Sequence, residues 1–149
     1  MSDAEWPLLL DTHVWIWHVE GARDEISPRC VTRIDAARHG AGVYVSSISV
    51  REAAQAVARG RLRLSRRFTA WLPQALEPLD IHALPLDAVS AALSAELPGE
   101  FHHDPADRML VASAMVHGLT FVTRDRAILE YGRNGHLRTI DAGARGRKK

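Results

Sequence analysis

Short apolar runs alternate along this chain with longer segments of mixed polarity. Three runs stand out, at residues 8–10, 43–45 and 120–122, and each is followed by a longer segment with helix-forming character. Brief apolar runs bounded by turn-forming residues are typical of strands. Strands that alternate with helices indicate βαβ units. We therefore expect an α/β fold, in which a central parallel sheet of about five short strands is flanked by helices.

Start and stop signals place the predicted helices. Ser27 precedes a proline and opens a helix that ends near Gly40, and Asp104, also before a proline, opens one that continues to His117. A capping residue followed by proline at the first helical position is a typical helix start. The other predicted elements are a short helix after residue 10, helices at 49–58, 66–76, 88–96 and 125–131, an extended segment at 79–84 and a last strand at 137–140.

Length and composition indicate one globular domain. The chain has 149 residues, of which 46% are apolar and 25% charged, and this is ordinary for a globular protein of one domain. No apolar run approaches the roughly 20 residues of a membrane span, and the first five residues lack the basic start of a signal peptide. A single cysteine, Cys30, allows no internal disulfide, which fits a reducing cytoplasm. We expect a cytoplasmic domain at 1–141 and a basic, disordered tail at 142–149.

The net charge of the chain is only +1, so no global electrostatic field marks a nucleic-acid binder. The positive charge is instead concentrated in two local patches. Five arginines fall within residues 59–67, and the last five residues include Arg145, Arg147, Lys148 and Lys149. Two interpretations remain open for these patches. They are either a solvated face and a frayed end, or surfaces that contact a phosphate backbone or an acidic partner.

Four acidic residues stand at the start of predicted helices or loops, and three of them come after strands. Asp11 directly follows the first strand, and Asp125 comes after residues 121–123. Glu52 comes shortly after the second strand, and Asp107 opens a long helical run. If the strands are parallel neighbours, all four carboxylates gather at the edge where an open α/β sheet holds its active site.

Each acid also has a purely structural explanation. Glu52 completes a capping box with Ser49, and Asp107 lies in the first turn of the helix that Asp104 caps. Asp125 can cap the helix that follows it. Together, however, four carboxylates at one edge would repel one another, and no Lys or Arg flanks Asp11. A hard divalent cation such as Mg²⁺ or Mn²⁺ resolves that repulsion.

Four blocks of sequence resemble, in order, the blocks of the PIN-domain family, and more narrowly those of VapC-type toxins from bacterial toxin–antitoxin pairs. The blocks are LLLDTHVWIW at 8–17, SSISVRE at 46–52, HDPADRMLVASA at 103–114 and VTRD at 122–125. The resemblance implies a single PIN-like domain and a metal-dependent endoribonuclease that hydrolyses RNA phosphodiester bonds. It also implies inhibition by a small antitoxin protein. With the Trp-rich first helix and the arginine-rich segment, it leads us to expect a homodimer.

The resemblance also implies the site residues, carried over by position. The metal-binding acids, which hold Mg²⁺ or Mn²⁺, are Asp11, Glu52, Asp107 and Asp125. Thr123 matches the hydroxyl residue beside the last acid, and Asp104 matches an additional acid, so both join the implied catalytic set. For Asp104, assistance to the metal and simple helix capping both remain open. For His13, contact with a phosphate or metal and simple packing both remain open.

Two other functions are weighed against the nuclease. An aspartyl-phosphate phosphohydrolase usually has a second acid two residues after the first, and here that position is His13. A non-catalytic RNA-binding or protein-interaction module on the same fold is the main alternative, and the complete set of acids argues against it. A zinc site at His102 and His103 lacks further Cys or His ligands at suitable spacing.

Overall fold

One parallel sheet of five strands forms the centre of the molecule. A computed structural model describes residues 5–143. The strands are β1 (Leu8–Leu10), β2 (Val43–Ser46), β3 (Ile81–Leu84), β4 (Thr120–Thr123) and β5 (Thr139–Asp141). They pair in the order β3-β2-β1-β4-β5, and every pair is parallel. The expected α/β fold with about five parallel strands is confirmed. Most of the predicted basic tail, residues 144–149, lies outside the described residues.

Helices cover both faces of this sheet. They are α1 (Thr12–Glu20), α2 (Pro28–Arg38), α3 (Ser47–Ala58), α4 (Phe68–Gln74), α5 (Ala88–Ser94), α6 (Pro105–His117) and α7 (Arg126–Arg133). Ser27 and Asp104 cap α2 and α6 as predicted, because each side chain accepts a hydrogen bond from the backbone N–H three residues later, that of Cys30 or Asp107. Between residues 5 and 143, no helix has the length and apolar character needed to cross a membrane.

The start of α3 differs from the prediction. The helix begins at Ser47, and the Ser46 hydroxyl caps it by accepting the N–H of Ile48 at 3.0 Å. The predicted cap, Ser49, is instead buried inside the helix. The predicted capping box with Glu52 is therefore wrong, since Ser46, the last residue of β2, already serves as the cap. Glu52 is free to make a tertiary contact.

Other boundaries shift by a few residues. The predicted extended segment at 79–84 divides into a 3-10 turn, Glu77–Leu79, and the strand β3. Asp80 joins them with a positive φ of 55°, a left-handed conformation that ends the turn. The helix predicted at 66–76 is shorter in the structure, where α4 spans Phe68–Gln74.

The core has two parts, one on each face of the sheet. Leu8 and Leu10 join the cluster built by α1–α4, whereas Leu9 joins the cluster built by α6 and α7. Successive side chains of a strand point to opposite faces, so a strand covered by helices on both sides is apolar throughout. The first cluster also holds Trp15 and Trp71, which are 0% and 2% exposed.

Candidate active site

The four predicted metal-binding acids line one open pocket at the carboxyl ends of the strands. Asp11 is the first residue after β1 and Asp125 the second after β4, and each caps the following helix. Glu52 lies within α3 and Asp107 in the first turn of α6. The pocket has a volume of about 600 Å³, and all four residues line it. Four separate elements, distant in sequence, thus place carboxylates around one space.

Thr123 fixes Asp11 and Asp125 relative to each other. Its hydroxyl donates to Asp11 Oδ2 at 2.6 Å and accepts the backbone N–H of Asp125 at 2.9 Å. Asp11 Oδ1 also accepts the N–H of Thr12 at 2.8 Å. Burial raises the pKa of Asp11, while the hydrogen bonds from Thr123 and Thr12 favour its ionised form. The buried hydroxyl of Thr123 therefore holds the least exposed acid of the pocket in one orientation.

A second threonine holds Glu52. The Thr12 hydroxyl lies 2.6 Å from Glu52 Oε1 and 2.7 Å from the Ser49 hydroxyl. A hydroxyl carries one hydrogen and an ionised carboxylate only accepts. Thr12 therefore donates to Glu52, and Ser49 donates to Thr12. The sequence analysis did not identify Thr12 or Ser49 as supporting residues. The only sign of such a role is that each is a buried polar side chain on a helix.

Asp107 also has a strongly raised pKa. Burial raises its pKa to about 7, and the neighbouring carboxylates Asp104, Asp11, Asp125 and Glu52 add to the rise in that order. Negative charges that face one another disfavour further ionisation. The four acids are thus close enough to interact electrostatically, which no isolated helix cap would produce.

Asp104 and His13 lie at the margins of the site. The Asp104 side chain is exposed and caps α6, accepting the N–H of Asp107 at 3.0 Å. It raises the pKa of Asp107 but does not line the pocket. His13 lines the pocket, although its side chain is exposed and its ring lies 5.6 Å from that of Trp17. The role of each in catalysis stays a prediction.

The chemistry of the acids fits a hard divalent cation. Within residues 5–143, no three carboxylate, imidazole or thiol groups form a ready-made metal cage. Mg²⁺ keeps several waters and takes only one or two carboxylates from the protein, so it does not require such a cage. After burial, the neighbouring carboxylates add to the raised pKa of Asp107, so negative charges act on one another in the pocket. An ion between Asp11, Asp107, Asp125 and Glu52 would compensate that charge, whereas zinc would require imidazole or thiolate ligands.

Two arginines share the pocket with the acids. Arg59 and Arg61 follow the end of α3 and line the pocket with Gln55 and Leu62. Both arginine side chains are exposed. The arginine-rich segment at 59–67 therefore begins at the mouth of the acidic pocket, so that one surface combines carboxylates for a cation with guanidinium groups for an anion.

The parallel five-stranded sheet, with four acids converging at its carboxyl edge, makes this chain an α/β domain with an acidic site. The PIN domain family model matches residues 8–134, which include the four acids of the pocket and the three hydroxyl residues that support them. The chain belongs to the PIN-domain family.

Similar proteins narrow this placement to the VapC type. Ribonuclease VapC22 of Mycobacterium tuberculosis (strain ATCC 25618 / H37Rv) is 32% identical over 122 residues, which cover 81% of this chain and 88% of that protein. The crystal structure of FitAcB from Neisseria gonorrhoeae has a TM-score of 0.63 at 27% identity, covering 91% of this chain and 97% of that one. VapBC2 from Rickettsia felis, bound to a promoter DNA fragment, has a TM-score of 0.67, 15% identity and coverages of 91% and 98%, and it shows the fold alone. The resemblance to VapC-type toxins is confirmed.

Proposed function

We propose that this protein is a metal-dependent endoribonuclease and the toxin of a toxin–antitoxin pair. The observation that carries the proposal is the convergence of Asp11, Glu52, Asp107 and Asp125 on one pocket. The similarity to Ribonuclease VapC22 supports RNA as the substrate. Hydrolysis of a phosphodiester by a carboxylate-bound Mg²⁺ or Mn²⁺ is the reaction that such a pocket suits.

The residues of the chain divide the work of this reaction. A bound ion would lower the pKa of a water and stabilise charge on the phosphate. Asp11 and Glu52 are held by Thr123 and Thr12 at distances of 2.6 Å, so their oxygens stay oriented toward the pocket. Such fixed orientation lowers the cost of reaching the reactive geometry. Without metal, burial and the neighbouring carboxylates raise the pKa of Asp107 to about 7, so a bound cation would favour the ionised form of this carboxylate and hold it as a ligand.

Arg59 and Arg61 are proposed to position the RNA backbone. They line the same pocket as the acids, and guanidinium groups bind phosphate in a bidentate manner. Contacts with phosphates fix the register of a nucleic acid without reading its sequence. The exposed arginines farther along the segment, at 63, 66 and 67, extend the same charged surface away from the acids.

An antitoxin and a second copy of the chain are the proposed protein partners. Solved relatives include VapBC from Salmonella typhimurium bound to DNA and VapBC-5, of the VapBC toxin–antitoxin family, from Mycobacterium tuberculosis. We expect the antitoxin to cover the segment around Arg59–Trp71. The Trp71 ring itself is buried in the core and donates to Glu20 at 2.8 Å, so the exposed arginines of the segment are the groups available to a partner. Light scattering should report a homodimer of the isolated chain.

A cleavage assay on mixed RNA tests the function. The parent should cut RNA with Mg²⁺ or Mn²⁺ and lose activity in chelator. Asp11→Asn should lose activity by orders of magnitude and remain folded. Glu130→Gln is a suitable control, because Glu130 is exposed and pairs only locally with Arg133 at 2.9 Å. RNA binding without metal-dependent cleavage in the parent would instead favour the non-catalytic module.

A further inference from the structure

Arg108 fastens the connection between α5 and α6 beside the acidic pocket. Its Nε donates to the carbonyl of Ser94, at the end of α5, at 2.7 Å. Its Nη1 donates to the carbonyls of Phe101 and His102, each at 3.1 Å. Charge-assisted hydrogen bonds of this kind are roughly twice as strong as neutral ones. One guanidinium group therefore holds both ends of the connecting segment at 95–104.

The ring of His102 is fixed at the end of that segment. It stacks on Phe101 with 4.3 Å between ring centroids, and Phe101 in turn packs on Tyr131 at 5.0 Å. His102 Nδ1 accepts the backbone N–H of Asp104 at 3.3 Å. An imidazole nitrogen that accepts carries no hydrogen, so in the neutral ring the hydrogen is on Nε2. That nitrogen lies 3.3 Å from Asp107 Oδ2.

We propose that His102, held in place by Arg108, is a positioning residue that orients the Asp107 carboxylate toward the metal. The inference rests on the proposed function, since it names the group that supports one of the acids. The imidazole N–H faces Oδ2, so the proposal assigns Oδ1 to the metal. Hydrogen-bonding partners of metal ligands fix the orientation of those ligands, and their loss typically costs 10–100-fold in metal affinity or activity.

The first experiment compares His102→Ala with His103→Ala. His103 is the adjacent histidine of the same segment, and both side chains are exposed, but only the His102 ring lies against Asp107 in the described residues. Thermal melts over a Mn²⁺ titration measure the concentration that gives half-maximal stabilisation, and kcat and KM are measured on RNA. His102→Ala should raise that concentration about tenfold or more, with KM for RNA little changed. His102→Gln, whose amide N–H can replace the imidazole N–H, should restore most of the affinity, and His103→Ala should match the parent.

The second experiment tests the dependence of His102 on Arg108. Arg108→Gln should speed hydrogen exchange of amides 101–104 and weaken Mn²⁺ binding as much as His102→Ala does. The double variant should be no weaker than either single variant, because residues that act through one contact are not additive. Arg133→Gln, which removes an exposed arginine, controls for the loss of charge.

The outcomes separate the two proposals. A parent that binds Mn²⁺ and cuts RNA, with His102→Ala equal to His103→Ala, overturns this inference alone. Independent, additive losses in the double variant overturn the action of Arg108 through His102. A parent that neither binds Mn²⁺ nor cuts RNA overturns the proposed function, and the inference with it.

Discussion

At the scale of single residues, the acids of this site are as notable for their neutral neighbours as for their charge. Thr123 and Thr12 each donate one short hydrogen bond to a carboxylate, at 2.6 Å. Both threonine side chains are buried. A buried charge is tolerated when such bonds replace those of water, so these hydroxyls stabilise the two carboxylates that they contact.

Replacement of Thr123 by valine should separate this role from simple packing. Thr123→Val keeps the shape and removes the donor to Asp11, so we expect a loss of about 1.5–3 kcal/mol in the free energy of unfolding. Cleavage should fall at least tenfold. The control is Thr120→Val on the same strand, since the Thr120 hydroxyl is buried and has no hydrogen-bond partner within residues 5–143. Urea denaturation should show no loss for Thr120→Val; equal losses for both variants would contradict the argument.

The raised pKa of Asp107 predicts how stability depends on pH without metal. The folded state holds the proton up to about pH 7, whereas the unfolded carboxyl releases it near its ordinary value of 3.8. The folded state therefore binds more protons between these values, and the free energy of unfolding contributed by this group falls as pH rises from about 4 to 7. Above pH 7 both states are ionised and the contribution is constant.

Asp107→Asn removes this titration. In chelator, the variant should be at least as stable as the parent at pH 8, because the relief of repulsion exceeds a helix-dipole loss of about 0.3–1 kcal/mol. At pH 5 the advantage should shrink. Added Mg²⁺ or Mn²⁺ should raise the melting temperature of the parent, since the ion binds the folded state, and raise that of the variant much less. A variant less stable at pH 8, with a parent indifferent to metal, would mean that Asp107 only stabilises the first turn of α6.

Cys30 offers a simpler test of the core. Burial raises the pKa of its thiol to about 12, and the side chain is 2% exposed. Only the thiolate is nucleophilic. At pH 8 we therefore expect almost no reaction with a thiol reagent in the native protein and rapid reaction in denaturant, followed by absorbance of the released chromophore. Rapid labelling of the native protein would show that α2 opens readily.

At the scale of elements, the sequence predicts most helices well because their signals are local. Ser27 and Asp104 cap helices from adjacent positions, and Gly118 ends α6 with a φ of 65°. The start of α3 was predicted wrongly because Ser46, Ser47 and Ser49 are all able to cap. The choice among them depends on where β2 ends, and Ser46 pairs with Leu84 of a distant strand. No local pattern contains that information.

The same distinction applies to the site. The shared edge of Asp11, Glu52, Asp107 and Asp125 followed from strand polarity, and the pocket brings them together as expected. The contact between Thr12 and Glu52 spans 40 residues and exists only because α1 packs against α3. Such support depends on the relative placement of two helices, which the sequence pattern leaves open.

The arginine-rich segment gives a prediction at this scale. Arg59→Gln and Arg61→Gln should each raise KM for RNA several-fold and leave kcat nearly unchanged, because they act on the phosphate backbone. Each should also reduce the slope of log KM against log salt by about one. Arg133→Gln, on α7, should change neither quantity. Unchanged salt dependence in both pocket variants would mean that RNA approaches from another side.

At the scale of the whole molecule, the site is assembled from distant parts of the chain. The central strand β1 is made first, yet it pairs with β2 on one side and with β4 on the other. The pocket receives acids from both sides, and Asp125 follows β4. No contiguous half of the domain therefore contains the whole set of acids.

This strand order has a consequence for how the protein is synthesised. Asp11 and Glu52 leave the ribosome before β4 and Asp125. At about 5–20 residues per second, the interval between Glu52 and Asp125 is on the order of several seconds. During that time the nascent chain has an incomplete sheet and only part of its acids. A protein proposed to destroy RNA therefore lacks its full set of acids until β4 and the residues after it have been made.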